Sequence, residues 1–196
     1  AMRDLEIRGA GSMLGEIQSG HLEQVGYDTY CTLLDEVVKE MQGVEVEPEI
    51  DIQIDLNVTS YIPDEYIQDS AQKIEVYQNI ALCKKEEDIQ NVVDEIIDRF
   101  GNMPAELENL LDIARIKYLA KPFAISKIAS KRTAVVFTFE QSKYEIDLQK
   151  LLKVYGNRIK FSPGIKTMIT LDIGTTNERQ ILNDVIDFLK NQNEVL

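Results

Sequence analysis

The residue types best suited to chemistry lie close together near the start of the chain. Arg8 carries a planar guanidinium that can bind a phosphate or a carboxylate through paired hydrogen bonds, and the Gln18 amide can both donate and accept. This segment also contains glycines, which let a backbone turn sharply or approach another surface closely. They are Gly9, Gly11, Gly15 and Gly20. The pattern fits a shaped loop that responds to a neighbouring surface, and it equally fits an irregular loop in which Arg8 pairs with Asp4 or Glu6.

The motifs that ordinarily support catalysis are missing from the sequence. There is no G-x-x-x-x-G-K-[ST] loop for nucleotide phosphates and no G-x-S-x-G nucleophile turn. His21 is the single histidine, and neither Cys31 nor Cys83 has a second thiol nearby in sequence to complete a zinc site. We therefore expect no catalytic residue, no metal and no cofactor in this chain, and two buried, inert thiols. An independent dinucleotide-binding enzyme is an alternative that rests only on the loop Gly9–Gly15, whose third glycine comes one residue late.

Charge divides the 196-residue chain into two unlike parts. The formal net charge of −13 combines 26 acidic and 7 basic residues in positions 1–112 with 8 acidic and 14 basic residues in positions 113–196. The acids are densest over Asp35–Asp55 and Glu86–Asp112. Such a stretch is either a solvated face or a surface that attracts a basic protein partner. The net charge itself opposes binding to nucleic acid or to an anionic membrane.

The basic second part supports an alternative of a different class, a nucleic-acid-binding module. The bases that would serve it are Lys121, Lys127, Lys131, Arg132, Lys143, Lys150, Lys153, Arg158 and Lys160. No interleaved aromatic residues suggest base stacking, so a solvated surface is the competing interpretation. The sequence also lacks an apolar run of about 18 residues and a signal-like start, so we expect a cytoplasmic protein with no membrane contact.

Apolar periodicity shows which elements must position these residues. After the extended N-terminal loop, apolar residues from Tyr30 to Met41 recur at helical spacing and predict a linking helix. Strict alternation from Ile50 to Val58 predicts a strand with one buried face. Three amphipathic helices should follow and pack as a bundle. The first starts at Asp69 or Ser70 and reaches Ala81, the second runs through Ile89 to Phe100 and ends at Gly101, and the third starts at Pro104.

The period changes after Pro122. Strands are predicted over Ala134–Phe139 and over the alternating residues 165–173, with a short helix between them that contains Leu151 and Leu152 and ends at Gly156. A capping box at Thr175–Glu178 should open the last helix. Helices and strands mix without regular alternation. We therefore predict an α+β fold, in which a helical bundle packs with a small mixed or antiparallel sheet.

The N-terminal segment Arg3–His21 resembles the motif at the end of the second helicase domain in two bacterial DNA translocases, RecG and the transcription-repair coupling factor (Mfd). The stretches after it are similar to the coupling factor rather than to RecG. These stretches are Val25–Tyr30, Pro48–Asp51, Tyr61–Ile67 and Asp94–Gly101. Together the matches run from residue 1 to about residue 121, and the basic remainder fits the family's C-terminal domain in length and order.

The resemblance implies two domains. Residues 1–47 would be the end of the second helicase lobe, and residues 48–196 the C-terminal regulatory domain. The parent would be a cytoplasmic bacterial ATP-dependent translocase on double-stranded DNA that displaces stalled RNA polymerase and recruits UvrA for nucleotide excision repair. It would bind ATP and magnesium outside these residues. Arg8 and Gln18, with Gly9, Gly11, Gly15 and Gly20, would couple lobe closure to DNA movement.

The resemblance also gives the acidic stretches a possible purpose. In this family the C-terminal domain packs on a UvrB-like N-terminal module of the same chain and covers its UvrA-binding surface. We expect Asp35–Asp55 and Glu86–Asp112 to form that contact, on the basis of charge alone.

Overall fold

The computed structural model describes residues 52–140, 148–164 and 166–193. The described strands form one sheet, and the helices lie between and after them in sequence. The strands are β1 (Gln53–Asp55), β2 (Ile125–Lys131), β3 (Ala134–Phe139), β4 (Ile159–Ser162) and β5 (Thr167–Asp172). The α-helices are α1 (Ser70–Ala81), α2 (Glu86–Phe100), α3 (Ala105–Ala120), α4 (Leu148–Tyr155) and α5 (Glu178–Asn193). The predicted α+β fold is confirmed, whereas the predicted extended loop and linking helix lie outside the described residues.

The described sheet is mixed, with strand order β1-β2-β3-β5-β4. β1 runs parallel to β2, and every other neighbouring pair is antiparallel. Parallel neighbours require a long crossover, and here the crossover contains the three helices α1, α2 and α3. The helical bundle is therefore inserted between two strands that lie side by side.

Two hydrophobic cores hold the described part together. The larger lies on one face of the sheet, where α5 and the C-terminal half of α3 cover the inward-facing strand residues. Phe188 stacks on Phe137 there, with ring centroids 4.3 Å apart. The smaller core lies within the bundle and includes Ile80, Ile89 and Leu107.

Helix α3 belongs to both cores. Leu107, Leu110, Leu111 and Ala114 pack in the bundle, and Ile113, Ile116, Leu119 and Ala120 pack against the sheet. A helix that buries apolar residues on two sides has little room left for charge. Even so, two of its polar residues, Asn109 and Asp112, are buried.

Asp112 is held by arginines from two helices. Its carboxylate accepts a hydrogen bond from Arg115, one turn later in α3, and another from Arg179 Nη1 of α5 at 2.6 Å. Arg115 also donates to both carboxylate oxygens of Glu86, at the start of α2, with its Nε 2.8 Å from Oε2. The row Glu86–Arg115–Asp112–Arg179, called the charged clasp below, thus joins α2, α3 and α5.

A second polar contact lies nearby. Asn109 Nδ2 donates to the Thr59 carbonyl at 2.9 Å and to Glu178 Oε2 at 3.1 Å, and Thr59 Oγ1 donates to Glu178 Oε1 at 2.8 Å. These bonds tie the chain after β1 to the centre of α3 and to the first turn of α5. Among the described residues, no buried side-chain nitrogen or oxygen lacks a hydrogen-bond partner.

Several local predictions are confirmed. Asp69 caps α1, because its Oδ1 accepts from the Gln72 amide at 2.9 Å. Gly101 ends α2 with a φ of 82°, a conformation that favours glycine. Pro104 directly precedes α3, and strand β3 has the predicted bounds.

Other local predictions are wrong. The first strand is shorter than predicted and covers only Gln53–Asp55, although Ile52 and Ile54 are buried as the alternation requires. Strands β2 and β4 were not predicted. The last helix is capped by Asn177, whose Oδ1 accepts from the Gln180 backbone N–H at 3.0 Å. The predicted capping box that begins at Thr175 is not formed. Thr175 Oγ1 instead accepts from the Asn177 amide at 3.1 Å and shapes the turn before the helix.

Loss of the Asp112 carboxylate should destabilise the fold. In Asp112→Ala, the Arg115 and Arg179 groups lose their shared partner at a buried point, so we expect the free energy of unfolding to fall by about 2 kcal/mol. The measurement is urea unfolding of the full chain followed by circular dichroism. Glu108→Ala, an exposed position on the same helix, is the matched control and should change the value by less than about 0.5 kcal/mol. An equal effect of the two substitutions would contradict the role of the clasp.

The charged clasp should also make stability depend on pH. Hydrogen bonds from Arg115 lower the pKa of Glu86 below its ordinary value of 4.5, outweighing the opposite effect of partial burial. The pKa of Glu86 is lower in the folded state than in the unfolded state. Its contribution to the free energy of unfolding is therefore complete above the unfolded-state pKa and is lost as pH falls through the lowered folded-state pKa. Urea midpoints measured from pH 6 down to about pH 3 should fall less steeply in Glu86→Gln than in Glu108→Gln. Parallel profiles would show that the pair makes no pH-dependent contribution.

Candidate functional site

The residues predicted to couple lobe closure to DNA movement cannot be placed in this structure. Arg8, Gln18, Gly9, Gly11, Gly15 and Gly20 all lie outside the described residues. The acidic stretch Asp35–Asp55 is described only from residue 52 onward, and Asp55 at its end is exposed, with Lys127 Nζ 4.0 Å from its carboxylate. The acidic stretch Glu86–Asp112 is fully described and can be tested as a surface.

Helix α2 presents an acidic face to solvent. Ile89 and Ile96 are buried against the bundle, and the side chains on the opposite face are Glu87, Asn91, Asp94 and Asp98, at positions i, i+4, i+7 and i+11. Asp94 accepts only from the neutral Gln90 amide, and Asp98 has no hydrogen bond or ion pair among the described residues. The negative charge of Asp94 and Asp98 is therefore not neutralised within the described part of the chain.

The two ends of the same stretch form ion pairs within the described part of the chain, which corrects the expectation that every acid in it is available to a partner. Asp112 is 3% exposed and lies in the charged clasp. Glu86 points back toward α3, where it accepts from Arg115 and from the Tyr118 hydroxyl at 2.7 Å. Desolvation and this hydrogen bond raise the pKa of Tyr118. Both carboxylates serve internal ion pairs, because arginines on neighbouring helices are within reach of them.

Sequence reasoning also missed two members of the α2 surface. Ile97 is 45% exposed beside Asp94 and Asp98, although it belongs to the apolar pattern of the second predicted helix. Arg99 is the one base on α2, and it donates to Glu95 at 2.7 Å and to Glu75 of α1 at 3.1 Å. The i, i+4 spacing of Glu95 and Arg99 was a signal for the first of these pairs. The candidate site is thus the α2 acidic face, defined as Glu87, Asp94, Asp98 and the exposed Ile97.

The basic residues of the second part fall into two groups. Lys150 Nζ donates to the Asn191 carbonyl at 3.2 Å, and Arg158 donates to the Asp172 carbonyl at 3.0 Å and pairs with Asp184. The second group is defined by exposure to solvent, and its members lie on several different elements. They are Lys121, Lys131, Arg132, Lys153 and Lys160. Lys143 lies outside the described residues. The nucleic-acid-binding alternative stays a prediction.

The described ranges contain neither a metal site nor a reactive thiol. Among the described residues, no group of three or more His, Cys, Asp and Glu side chains could hold a metal ion. Cys83 is half-buried, and burial raises the pKa of its thiol to about 11, so it stays protonated and unreactive at neutral pH. Cys31 lies outside the described residues. No helix in the described ranges has the length and apolarity needed to cross a membrane.

Comparison with known proteins gives one consistent result. The sequence profile of the TRCF domain matches residues 56–151. The transcription-repair-coupling factor of Bacillus subtilis is 37% identical over 100% of this chain, and that of Staphylococcus epidermidis is 40% identical over 78% of it. The chain spans only 17% and 13% of the length of these two relatives.

A solved structure shares the fold. The crystal structure of the C-terminal domain of a transcription-repair coupling factor superposes with a TM-score of 0.68 at 22% identity. The superposition covers 74% of this chain and 92% of that one. Sequence and fold agree: this chain belongs to the transcription-repair coupling factor family and includes its C-terminal domain.

Proposed function

We propose that this chain is the C-terminal part of an ATP-dependent DNA translocase that displaces stalled RNA polymerase and recruits UvrA in nucleotide excision repair. Within that parent, residues 1–47 end the second helicase lobe, and residues 48–196 are a regulatory domain. The regulatory domain packs on a UvrB-like N-terminal module of the same protein and restrains UvrA binding. ATP and Mg²⁺ are held elsewhere in the parent, and the described residues have no catalytic role.

The observation that carries the regulatory role is the acidic face of α2. Asp94 and Asp98 point away from the bundle core without neutralisation, while Glu86 and Asp112 of the same stretch are paired internally. A face that keeps its charge in solvent attracts a basic surface over roughly 8–10 Å at physiological salt. The exposed Ile97 at the side of this face supplies apolar area that a contact can bury.

The clasp supports this role by fixing the position of α2. Arg115 binds Glu86 at the first turn of α2 and Asp112 in the middle of α3, so α2 is tied to the helix shared by both cores. The exposed carboxylates consequently stand on a rigid element. A charged surface on a rigid element loses little conformational entropy on docking, which favours a clamp between domains.

The coupling role is proposed for residues 3–20. Arg8 senses or transmits closure of the helicase lobes through its planar guanidinium, and Gln18 fixes the loop against its neighbours. The glycines Gly9, Gly11, Gly15 and Gly20 allow the backbone to bend and to approach another surface. Support for this role comes from the residue pattern and from a similarity to one coupling factor that extends along the whole of this chain.

Reversal of charge on α2 should release the regulatory contact. In the full-length parent carrying Asp94→Lys and Asp98→Lys, repulsion from a basic module should raise UvrA affinity several-fold, measured by titration calorimetry. The matched control is Glu65→Lys with Glu108→Lys, which makes the same change of net charge at exposed positions outside α2. Deletion of residues 48–196 should raise UvrA affinity at least as much. If the deletion leaves UvrA affinity unchanged, the regulatory role is wrong.

Loss of Arg8 should separate ATP hydrolysis from movement. Arg8→Ala in the full-length parent should keep most of the DNA-stimulated ATP hydrolysis and lose displacement of a stalled RNA polymerase. Lys131→Ala, an exposed base outside residues 3–20, is the control and should keep both activities. Displacement that survives in Arg8→Ala would contradict the coupling role.

A further inference from the structure

An apolar groove lies at the β4 edge of the described sheet. It opens between α4 and the neighbouring strands β4 and β5, and every side chain that lines it is apolar. These side chains are Leu151, Leu152, Ile159, Phe161 and Ile169. Leu151 and Ile169 form a buried floor that belongs to the sheet core, whereas Leu152 is 57% exposed and Phe161 is 43% exposed. We call this feature the α4–β4 groove.

The polar side chains of β4 lie on the other face of the sheet. Ile159 and Phe161 pair with the buried Leu171 and Ile169 of β5, so they belong to the face that carries the core. Because successive residues of a strand point to opposite faces, Lys160 and Ser162 point away from the groove. A contact made in the groove is therefore apolar, and any polar selection acts on the opposite face.

The strand beside the groove has an open edge. Within the described sheet, β4 pairs with β5 alone, so its other side has backbone N–H and C=O groups that no described strand occupies. Such an edge is a template for one more strand. The added strand must present apolar side chains to the groove and polar side chains to the other face. The alternation of β4 itself, from Ile159 to Ser162, meets this requirement.

From these observations we infer that the occupant is a second copy of this chain, whose own β4 pairs antiparallel with the first across a two-fold axis. In such a contact the same patch is used by both copies, so the two grooves join into one apolar layer. Leu152 and Phe161 of both copies lie in that layer, and the sheet continues from one copy into the other. The contact is independent of α2 and of the function proposed for it.

Charge selects the register of the two strands. If Lys160 stood opposite Lys160 of the second copy, two ammonium groups would be adjacent, which is destabilising. If Phe161 stands opposite Phe161 of the second copy, Lys160 faces Ser162 instead, and the two rings form a favourable cross-strand pair.

The ends of β4 are compatible with the register centred on Phe161. It places Pro163 opposite Ile159 of the second copy. The Ile159 N–H already donates to the Gly156 carbonyl, and Pro163 has no N–H to leave unpaired. Neither end of the strand therefore loses a backbone hydrogen bond when the copies pair.

The contact is small, so the dimer is transient. A four-residue strand and a few side chains bury less than the roughly 1,200 Å² of total surface that stable interfaces bury. The net charge of −13 on each copy opposes association, and salt screens this repulsion. Association should consequently tighten as salt rises, unlike a contact that opposite charges hold together.

Sedimentation velocity of the full 196-residue chain over about 5 to 500 μM tests the contact. We expect a monomer–dimer equilibrium with a dissociation constant of the order of 100 μM, tighter in high salt than in low salt. Leu152→Ser with Phe161→Ser should weaken it at least about tenfold. Both positions are exposed, and circular dichroism melts confirm that the variant folds. Val154→Ser, at another exposed apolar position of α4 outside the groove, is the matched control and should leave the equilibrium unchanged.

A second variant tests the register. In the pair centred on Phe161, Ser162→Glu places a carboxylate opposite Lys160 on both sides of the two-fold axis. It should tighten dimerisation about threefold in low salt, and adding Lys160→Glu should remove the gain. The control is Asn183→Glu, which makes the same charge change at an exposed position of α5 and should bring no gain.

Four results would overturn the dimer. The first is a chain that stays monomeric over the whole concentration range, and the second is a dimer that Leu152→Ser with Phe161→Ser leaves intact. The third is a Ser162→Glu variant that dimerises no more tightly than Asn183→Glu. The fourth is dimerisation that appears only in Leu33→Ser with Val37→Ser, because the chain's own N-terminal segment would then be the occupant of the groove.

Discussion

The Asp112 carboxylate, placed between Arg115 and Arg179, is the interaction on which the joining of the two cores depends. Helix α3 contributes apolar residues to the bundle and to the sheet, and Asp112 lies on the side of α3 that faces α5. An unpaired carboxylate at 3% exposure would be costly, so the arginines must come to it from α3 and from α5. Their positions set how closely α5 approaches α3. Arg115 then extends the same network to Glu86 and so to α2.

Local signals in the sequence were sufficient to predict most of the helices. Asp69 and Pro104 stand at the start of a helix, and Gly101 stands at the end of one. Each acts within one turn of that helix end, so its effect can be predicted without knowing what the helix packs against. The same reasoning failed at α5, where Asn177 caps the helix by accepting from the Gln180 backbone N–H and Thr175 accepts from Asn177 instead. Glu178 is drawn away by Asn109 and Thr59, which are 69 and 119 residues distant in sequence. No local rule contains those partners.

The strands and the candidate site were harder to predict for the same reason. β2 contains Ser126, Lys127 and Ser130 among its apolar residues, so it gives no clean alternation. β4 does alternate between apolar and polar residues, but only over the four positions Ile159–Ser162. Each is a strand because a neighbour in the sheet pairs with it. Charge density likewise identified the acidic stretch Glu86–Asp112 but not which acids face solvent. That division depends on Arg115 and Arg179, which approach from other helices. The coupling residues around Arg8 remain predictions from the sequence.

The parallel pairing of β1 with β2 has a mechanical consequence. β1 is three residues long, lies at the sheet edge and is the described strand nearest to the N-terminal part of the chain. Tension applied to the chain ahead of residue 52 therefore acts first on three register pairs, from Gln53–Lys127 to Asp55–Ala129. The next anchors in line are Asn57, whose backbone N–H donates to Ser130 Oγ, and Thr59, which is hydrogen-bonded to Asn109 and Glu178. A short edge strand followed by a polar anchor separates in two steps. A pull from the preceding segment would therefore unpair β1 from β2 first, while α3 and α5 stay in contact with each other.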